Sequence, residues 1–259
     1  MASSAERGGL LKDERQRRIL DELTASGRVV ATELQGLLDV SPHTIRRDLD
    51  ELAEAGRLVR VHGGALARSS TATTYEGRRA QGAEAKRQLA RAAVTLLSPG
   101  QVAILDGGST ALAVADAIPP DHTGTFVTHS PPVAEALGRH PGLEVIVIGG
   151  RLEPRAMVAV GAQTVAAYRQ ITADICFLGV WSIHAEHGVS QQYPEEAEVR
   201  RTLLERANRV VGLAHSDKLG AVAPFRVGPA DALTHLATER DAPERLVAPF
   251  RELGVHIVQ

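Results

Sequence analysis

The sequence predicts an α/β chain in two parts: a small N-terminal module of three helices and a hairpin, then a larger domain built on a mostly parallel sheet. Three observations predict it. The chain has 259 residues, enough for two ordinary domains. Residues 13–67 carry three short amphipathic helical patterns followed by Leu58-Val59-Arg60-Val61 and the turn His62-Gly63-Gly64. From about Tyr75 onward, short apolar runs alternate with helical segments, the pattern of strands buried on both faces of a sheet.

The first helix is expected from about Asp13 to Ala25, with Ile19, Leu20 and Leu23 inward and Gly27 as its stop. Arg28-Val29-Val30 is a short extended piece. A second helix, Ala31 to Leu38, buries Leu34, Leu37 and Leu38. The third starts at Ser41, whose hydroxyl is a good cap for free amides in the first turn, and Pro42 suits the first helical position. Ile45, Leu49 and Leu52 define its buried face, so Arg46 and Arg47 point outward. Three helices, a tight turn before the third and a basic hairpin have the layout of a winged helix-turn-helix. DNA contacts are therefore expected from Ser41, His43, Thr44, Arg46 and Arg47 on the helix, and from Arg57, Arg60 and His62 on the wing. Residues 1–12 are expected to be disordered, and 68–79, with RSSTATT, to form a polar linker.

Composition sets bounds. An apolar fraction of 44% and a charged fraction of 23% are those of a globular protein without a membrane span. Cys176 is the only cysteine, which excludes an internal disulfide and a cysteine-based zinc site and suits the cytoplasm. The net charge is −2, and residues 1–66 hold ten Arg/Lys against eleven Asp/Glu, so DNA binding must rest on a few local contacts.

Residues 80–259 should form the second, Rossmann-like domain. Strands are expected at 102–105, 125–128, 143–148, 174–179, 209–214, 222–227, 233–237 and 254–258. Helices are expected at 83–97, 111–117, 132–139, 162–170, 194–207 and 243–252. Open α/β sheets bind ligands at the carboxyl ends of their strands. Five strand-end motifs converge there: Asp106-Gly107-Gly108-Ser109-Thr110, Thr128-His129-Ser130, Gly149-Gly150, Gly179-Val180-Trp181-Ser182 and Ala214-His215-Ser216-Asp217-Lys218. Glycines at a helix N-terminus let the backbone approach an anion, and the free amides favour phosphate. Lys218 adds a point charge. His184 and His187 lack a third metal ligand, and Glu195, Glu196 and Glu198 read as the acidic first turn of a helix. Neither a metal site nor a cofactor is expected.

Over residues 13–258 the chain resembles the DeoR family of bacterial transcriptional regulators. The resemblance rests on RRILDEL, GRVVATEL, VSPHTIRRDLDEL and EAGRLVRVHGGA, then LDGGST, VIVIGG, ADICFLG and LAHSDKLG. It implies a regulator, by expectation a repressor, of carbohydrate or related metabolic genes. Its second domain would share the fold of ribose-5-phosphate isomerase and respond to a phosphorylated metabolite. The partners implied are double-stranded operator DNA, the effector and further copies of the chain, at least as a dimer. EAKRQLARAAVTLLSPGQVAILDGGST is similar to the isomerases' N-terminal helix and phosphate loop and places Lys86 beside the phosphate. The effector contacts implied are Lys86, Asp106, Gly107, Gly108, Ser109, Thr110, His129, Gly150, Gly179, Trp181, His215 and Lys218.

Where the isomerases carry an acid-rich Asp-Gly-Ala-Asp-Glu run, this chain has Leu178-Gly179-Val180-Trp181-Ser182. Enediol chemistry needs a carboxylate in reach of the carbon acid, so a sensor is expected rather than an enzyme. The alternative is a sugar-phosphate isomerase or deaminase fused to a DNA-binding domain. The family usually has Asn at His129, Asp at His215 and a small glycine-containing loop at 180–182. These departures imply an unusual sugar phosphate, or something bulkier that stacks on the indole of Trp181.

Overall fold

The computed structural model describes residues 10–69 and 74–259, in two compact units, Met1–Arg68 and Ser69–Gln259. The disorder expected of residues 1–9 and the linker residues 70–73 lie outside the described residues.

The first unit runs α1 (Lys12–Ser26), β1 (Arg28–Val30), α2 (Ala31–Leu38), α3 (Pro42–Glu54), β2 (Leu58–Val61) and β3 (Gly64–Arg68). Lys12 already belongs to α1, where its ammonium lies 2.7 Å from Glu51, so the N-terminal boundary falls earlier than expected. Gly27 ends α1 with φ +75°, a left-handed conformation that favours glycine. β1 and β2 both pair antiparallel with β3. A Cβ on Gly64 would stand 2.0 Å from the Val29 carbonyl oxygen, so the β1–β3 pairing requires glycine there. Ile19, Leu23, Leu34, Leu38, Ile45, Leu49 and Leu52 form the core. Cutting Leu49 back to alanine in such a core costs about 2–5 kcal/mol. Leu37 is 52% exposed, against expectation, because it falls outside the Leu34/Leu38 stripe.

The second unit opens with a helix where a linker was expected, α4 (Tyr75–Ala80), capped by the Thr74 hydroxyl accepting from the Gly77 amide at 3.1 Å. It continues with α5 (Ala83–Val94), β4 (Gln101–Leu105), α6 (Ser109–Ala117), β5 (Gly124–Thr128), α7 (Pro131–Leu137) and β6 (Leu143–Val147). Then come β7 (Arg151–Glu153), β8 (Val158–Val160), α8 (Ala162–Tyr168), β9 (Ala173–Gly179), β10 (Ser182–His184) and β11 (Gly188–Gln191). The chain ends with α9 (Pro194–Leu204), β12 (Ala207–Leu213), β13 (Ala221–Val222), β14 (Phe225–Gly228), β15 (His235–Ala237), α10 (Glu244–Glu252) and β16 (His256–Val258).

Seven strands form one parallel sheet in the order β16-β15-β12-β9-β4-β5-β6. Side chains alternate between its faces: Ile104, Cys176 and Leu178 pack into one core, Leu105, Ile175 and Phe177 into the other. Cys176 is fully buried on the central β9, and burial pushes its thiol well above the usual pKa. From β4 the chain winds outward through β5 to β6, then returns to β9 and winds the other way. The switch point therefore lies between β4 and β9, where such sheets open a crevice at the strands' carboxyl ends. Two hairpins, β7–β8 and β10–β11, were not legible as strands in the sequence.

Candidate functional site

In the first unit the candidate surface is the outer face of α3. Ser41 caps the helix by accepting from the Thr44 amide at 3.2 Å, and the two hydroxyls lie 2.9 Å apart. Both side chains are thus engaged in starting the helix. His43, Arg46 and Arg47 are exposed on the next turn, and Arg57 and His62 are exposed beyond the helix. Arg47 pairs loosely with Glu51 at 3.2 Å. Arg60 does not project from the wing. Its Nε donates to Asp50 at 2.8 Å and its Nη1 to the Gly64 carbonyl at 2.5 Å, fastening the hairpin to α3. Asp48 is buried and takes Arg15 in a bidentate pair, with Nη2 at 3.0 Å from Oδ1, which locks α3 against α1.

In the second unit a narrow cleft opens over the carboxyl ends of β4 and β9. The loop Gly107-Gly108 and the first residues of α6, Ser109 and Thr110, form one wall. Gly108 has φ +93° and ψ 176°, a region open essentially to glycine alone, and it turns β4 into the N-terminus of α6. Gly107 is as tightly constrained, since a Cβ there would stand 2.1 Å from Val158. Gly179, Val180 and Trp181 line the other side. Arg78 from α4, Lys86 from α5, Arg200 from α9 and Lys218 bring four cations to this cleft.

Burial shapes their charge. Desolvation, followed by repulsion from Arg78, lowers Lys86 to about 8, and its Nζ donates to the Arg78 and Gln81 carbonyls. Lys218 is pushed to about 7 by burial, then by Lys86 and Arg78. Burial also lowers Arg78, whose Nη2 donates to the Arg155 carbonyl at 2.6 Å. Arg78 and Lys218 both stand over the Trp181 ring, 5.4 and 5.6 Å from its centre. An anion would relieve the mutual repulsion of these groups.

Arg200 plays a different part. It donates to Asp106 at 2.8 Å, to the Gly179 carbonyl at 2.9 Å and to Glu196 at 2.9 Å. Burial opposes its charge, yet Asp106 and Glu196 hold its pKa above the usual value. Asp106, wholly buried, also accepts from the Gly107 amide at 2.7 Å and the Gly179 amide at 2.9 Å. It shapes both sides of the cleft from beneath.

Several expected contacts are corrected. Asp106 lies under the cleft and does not line it. His129 is 2% exposed, hydrogen-bonded to the Tyr168 hydroxyl at 2.8 Å and held near pKa 4 by burial. The β7–β8 hairpin covers it, with the Ala159 amide donating to the His129 carbonyl at 2.8 Å. Gly150 packs against β8 and α8, where a Cβ would meet Thr164 Oγ1 at 2.1 Å. His215 is buried behind Lys218, against Gly82, at a pKa of about 4 from burial and then the Lys218 charge. The sequence reading missed Arg78, Gln81, Ala156, Gln191, Glu196 and Arg200. Glu196 is not a solvated first-turn acid: it is 3% exposed and paired with Arg200, whereas its neighbour Glu195 is exposed and paired with Arg151. Among the described residues no group of three or more His, Cys, Asp or Glu could hold a metal ion, and no helix is long and apolar enough to cross a membrane.

Two family models match this chain. A DeoR-like helix-turn-helix domain covers residues 15–71, and a DeoR C terminal sensor domain covers residues 81–240. The chain belongs to the DeoR family. This DeoR-family protein is 31% identical to the HTH-type transcriptional regulator GolR of Listeria innocua, over 94% of this chain and 97% of that one. It is 30% identical to the glycerol-3-phosphate regulon repressor of Escherichia coli K12, over 95% and 97% of the two chains. These relatives are regulators, and the DeoR-family chain described here is a DNA-binding transcriptional regulator, not an enzyme. A ribose 5-phosphate isomerase from Methanocaldococcus jannaschii aligns over 53% of this chain and 55% of its own, with a TM-score of 0.40 and 16% identity. At those values it bears on neither mechanism nor function.

Proposed function

We propose that this regulator represses genes of carbohydrate or related phosphorylated-metabolite use, and that the cleft over β4 and β9 takes the phosphorylated effector. The observation that carries this reading is the convergence of Lys86, Lys218 and Arg78 on the N-terminus of α6. Free helix amides, a glycine loop and desolvated cations together form a site for a compact anion. The names of relatives such as the glycerol-3-phosphate regulon repressor support the ligand class. The reading partner for operator DNA is α3 with Arg46 and Arg47, supported by Arg57 and His62. A DNA partner supports a cytoplasmic location, and the reading of repeated half-sites supports a homo-oligomer of at least two copies.

The test joins both units. Operator fragments are recovered from genomic DNA with the full chain, and sugar and polyol phosphates are titrated into the complex. An effector must change operator affinity, and saturating operator must change effector affinity by the same factor. Equal effector affinity with and without DNA would remove the sensor role. Replacing Arg46 and Arg47 by alanine should weaken operator binding by about 1–3 kcal/mol each. Unchanged affinity in a folded double variant would remove α3 as the reader.

A further inference from the structure

We infer that Glu196 is the residue by which the cleft selects its ligand, accepting a hydrogen bond from a hydroxyl on the uncharged part of the phosphorylated effector. This rests on the cleft being the effector site. Glu196 lines the same cleft as the Gly107-Gly108 loop and is 3% exposed. Its Oε2 accepts from Arg200 Nη1 at 2.9 Å and from Gln191 Nε2 at 3.0 Å. Its Oε1 is buried and accepts no hydrogen bond from any described residue.

Holding Arg200 in place needs only Oε2, so the structural role of Glu196 leaves one carboxylate oxygen over. A buried polar atom left without a partner is costly, and an ionised one most of all. The group is also rigidly presented. Arg200 is anchored by Asp106 and Gly179, and the Gln192 amide donates to Gln191 Oε1 at 2.6 Å, which fixes the Gln191 amide with its NH2 towards Glu196. A preorganised acceptor discriminates well, because nothing has to be ordered on binding.

The sign of the charge narrows the ligand. A carboxylate oxygen repels a second anionic group and prefers a donor. In the bound state it accepts from a hydroxyl, while the phosphate takes the α6 N-terminus and the cations. The ligand class is a hydroxylated phosphate monoester with one anionic end, and bisphosphates are disfavoured.

The experiment is calorimetry on the full chain with inorganic phosphate, with three- and six-carbon polyol monophosphates (glycerol 3-phosphate and glucitol 6-phosphate), and with propyl and hexyl phosphate as their hydroxyl-free counterparts. In the native protein at least one polyol ester should bind roughly 10- to 100-fold more tightly than its alkyl counterpart, the range for a hydrogen bond to a charged group. In Glu196→Gln the side-chain oxygen stays with Arg200 and Gln191, and the amide NH2 replaces the acceptor. That preference should collapse to within about threefold, read as the ratio of polyol to alkyl ester so that any change in phosphate affinity, common to both, cancels. Equal binding of polyol and alkyl esters to the native protein overturns the inference even if the variant does not fold. So does an undiminished preference in a folded Glu196→Gln. If phosphate and every ester fail to bind, the effector-site reading itself falls and takes this inference with it.

Discussion

The outer face of α3 and the cleft of the second unit both pair arginines with carboxylates, but the solvent treats them differently. The Arg47 side chain is 73% exposed beside Glu51, whereas Arg200 is 8% exposed between Asp106 and Glu196. An exposed pair contributes about 0–1 kcal/mol and is screened by salt. Arg47 can therefore leave Glu51 for a DNA phosphate at little cost. A buried pair is not exchangeable, because removing one partner strands a desolvated charge. Arg200 is thus a fixture that shapes the cleft, and Arg78, Lys86 and Lys218 stand around it.

Single truncations sharpen that contrast most. Arg200→Ala should destabilise the second unit by about 3–5 kcal/mol, against about 1 kcal/mol or less for Arg47→Ala in the first. Denaturant melts of the two variants check it, and equal small losses would mean that the buried network is not a unit. Next in size is Gly108→Val. Valine at φ +93° cannot hold the turn into α6, so inorganic phosphate binding should fall at least about 100-fold.

Acidity tests the cleft in particular. Lys218, near 7 when folded and near 10.5 when unfolded, loses its proton on folding between those values. Unfolded chains there hold the extra proton, so this group makes the ligand-free fold gain stability as pH rises from about 7 to 10.5. An anion favours the protonated lysine, so ligand affinity should move the other way, falling by up to about tenfold per pH unit above 7. A sulfate ester, which does not titrate there, isolates the effect, and Lys218→Met should remove the loss that begins near pH 7 while leaving the one that Lys86 brings above about 8. The smallest change belongs to α3: Ser41→Ala should lower stability by about 1 kcal/mol through loss of the cap to Thr44, read by thermal melting.

What the sequence revealed divides along the same physical line. The three helices and hairpin of the first unit were legible because their signals are local: the Ser41-Pro42 start, the stop at Gly27, and the Ile45, Leu49, Leu52 stripe. The parallel strands were legible as apolar runs, and Gly107 to Thr110, Lys86, Trp181 and Lys218 do meet in one cleft. Arg78, Glu196 and Arg200 were not found, because a buried charge on a helix has the same spacing as a solvated one. Only the tertiary partner tells them apart. His129 and Gly150 were misplaced because the β7–β8 hairpin, with strands of three residues each too short to stand out, covers the ends of their strands. α4 hid in a stretch taken for linker, since its two buried residues, Tyr75 and Arg78, leave no apolar stripe.

Cys176 gives the protein a built-in clock. It is the only thiol in the chain, it is fully buried on β9, and its pKa is raised, whereas thiolate is the reactive form. A disulfide reagent can reach it only when the centre of the sheet opens, so its labelling rate counts openings of β9 in the otherwise native protein. The same strand ends at Gly179, on the wall of the cleft. A ligand bound only by the closed state must slow that count by the factor one plus its concentration over Kd, which yields an affinity with no label on the ligand and no operator present.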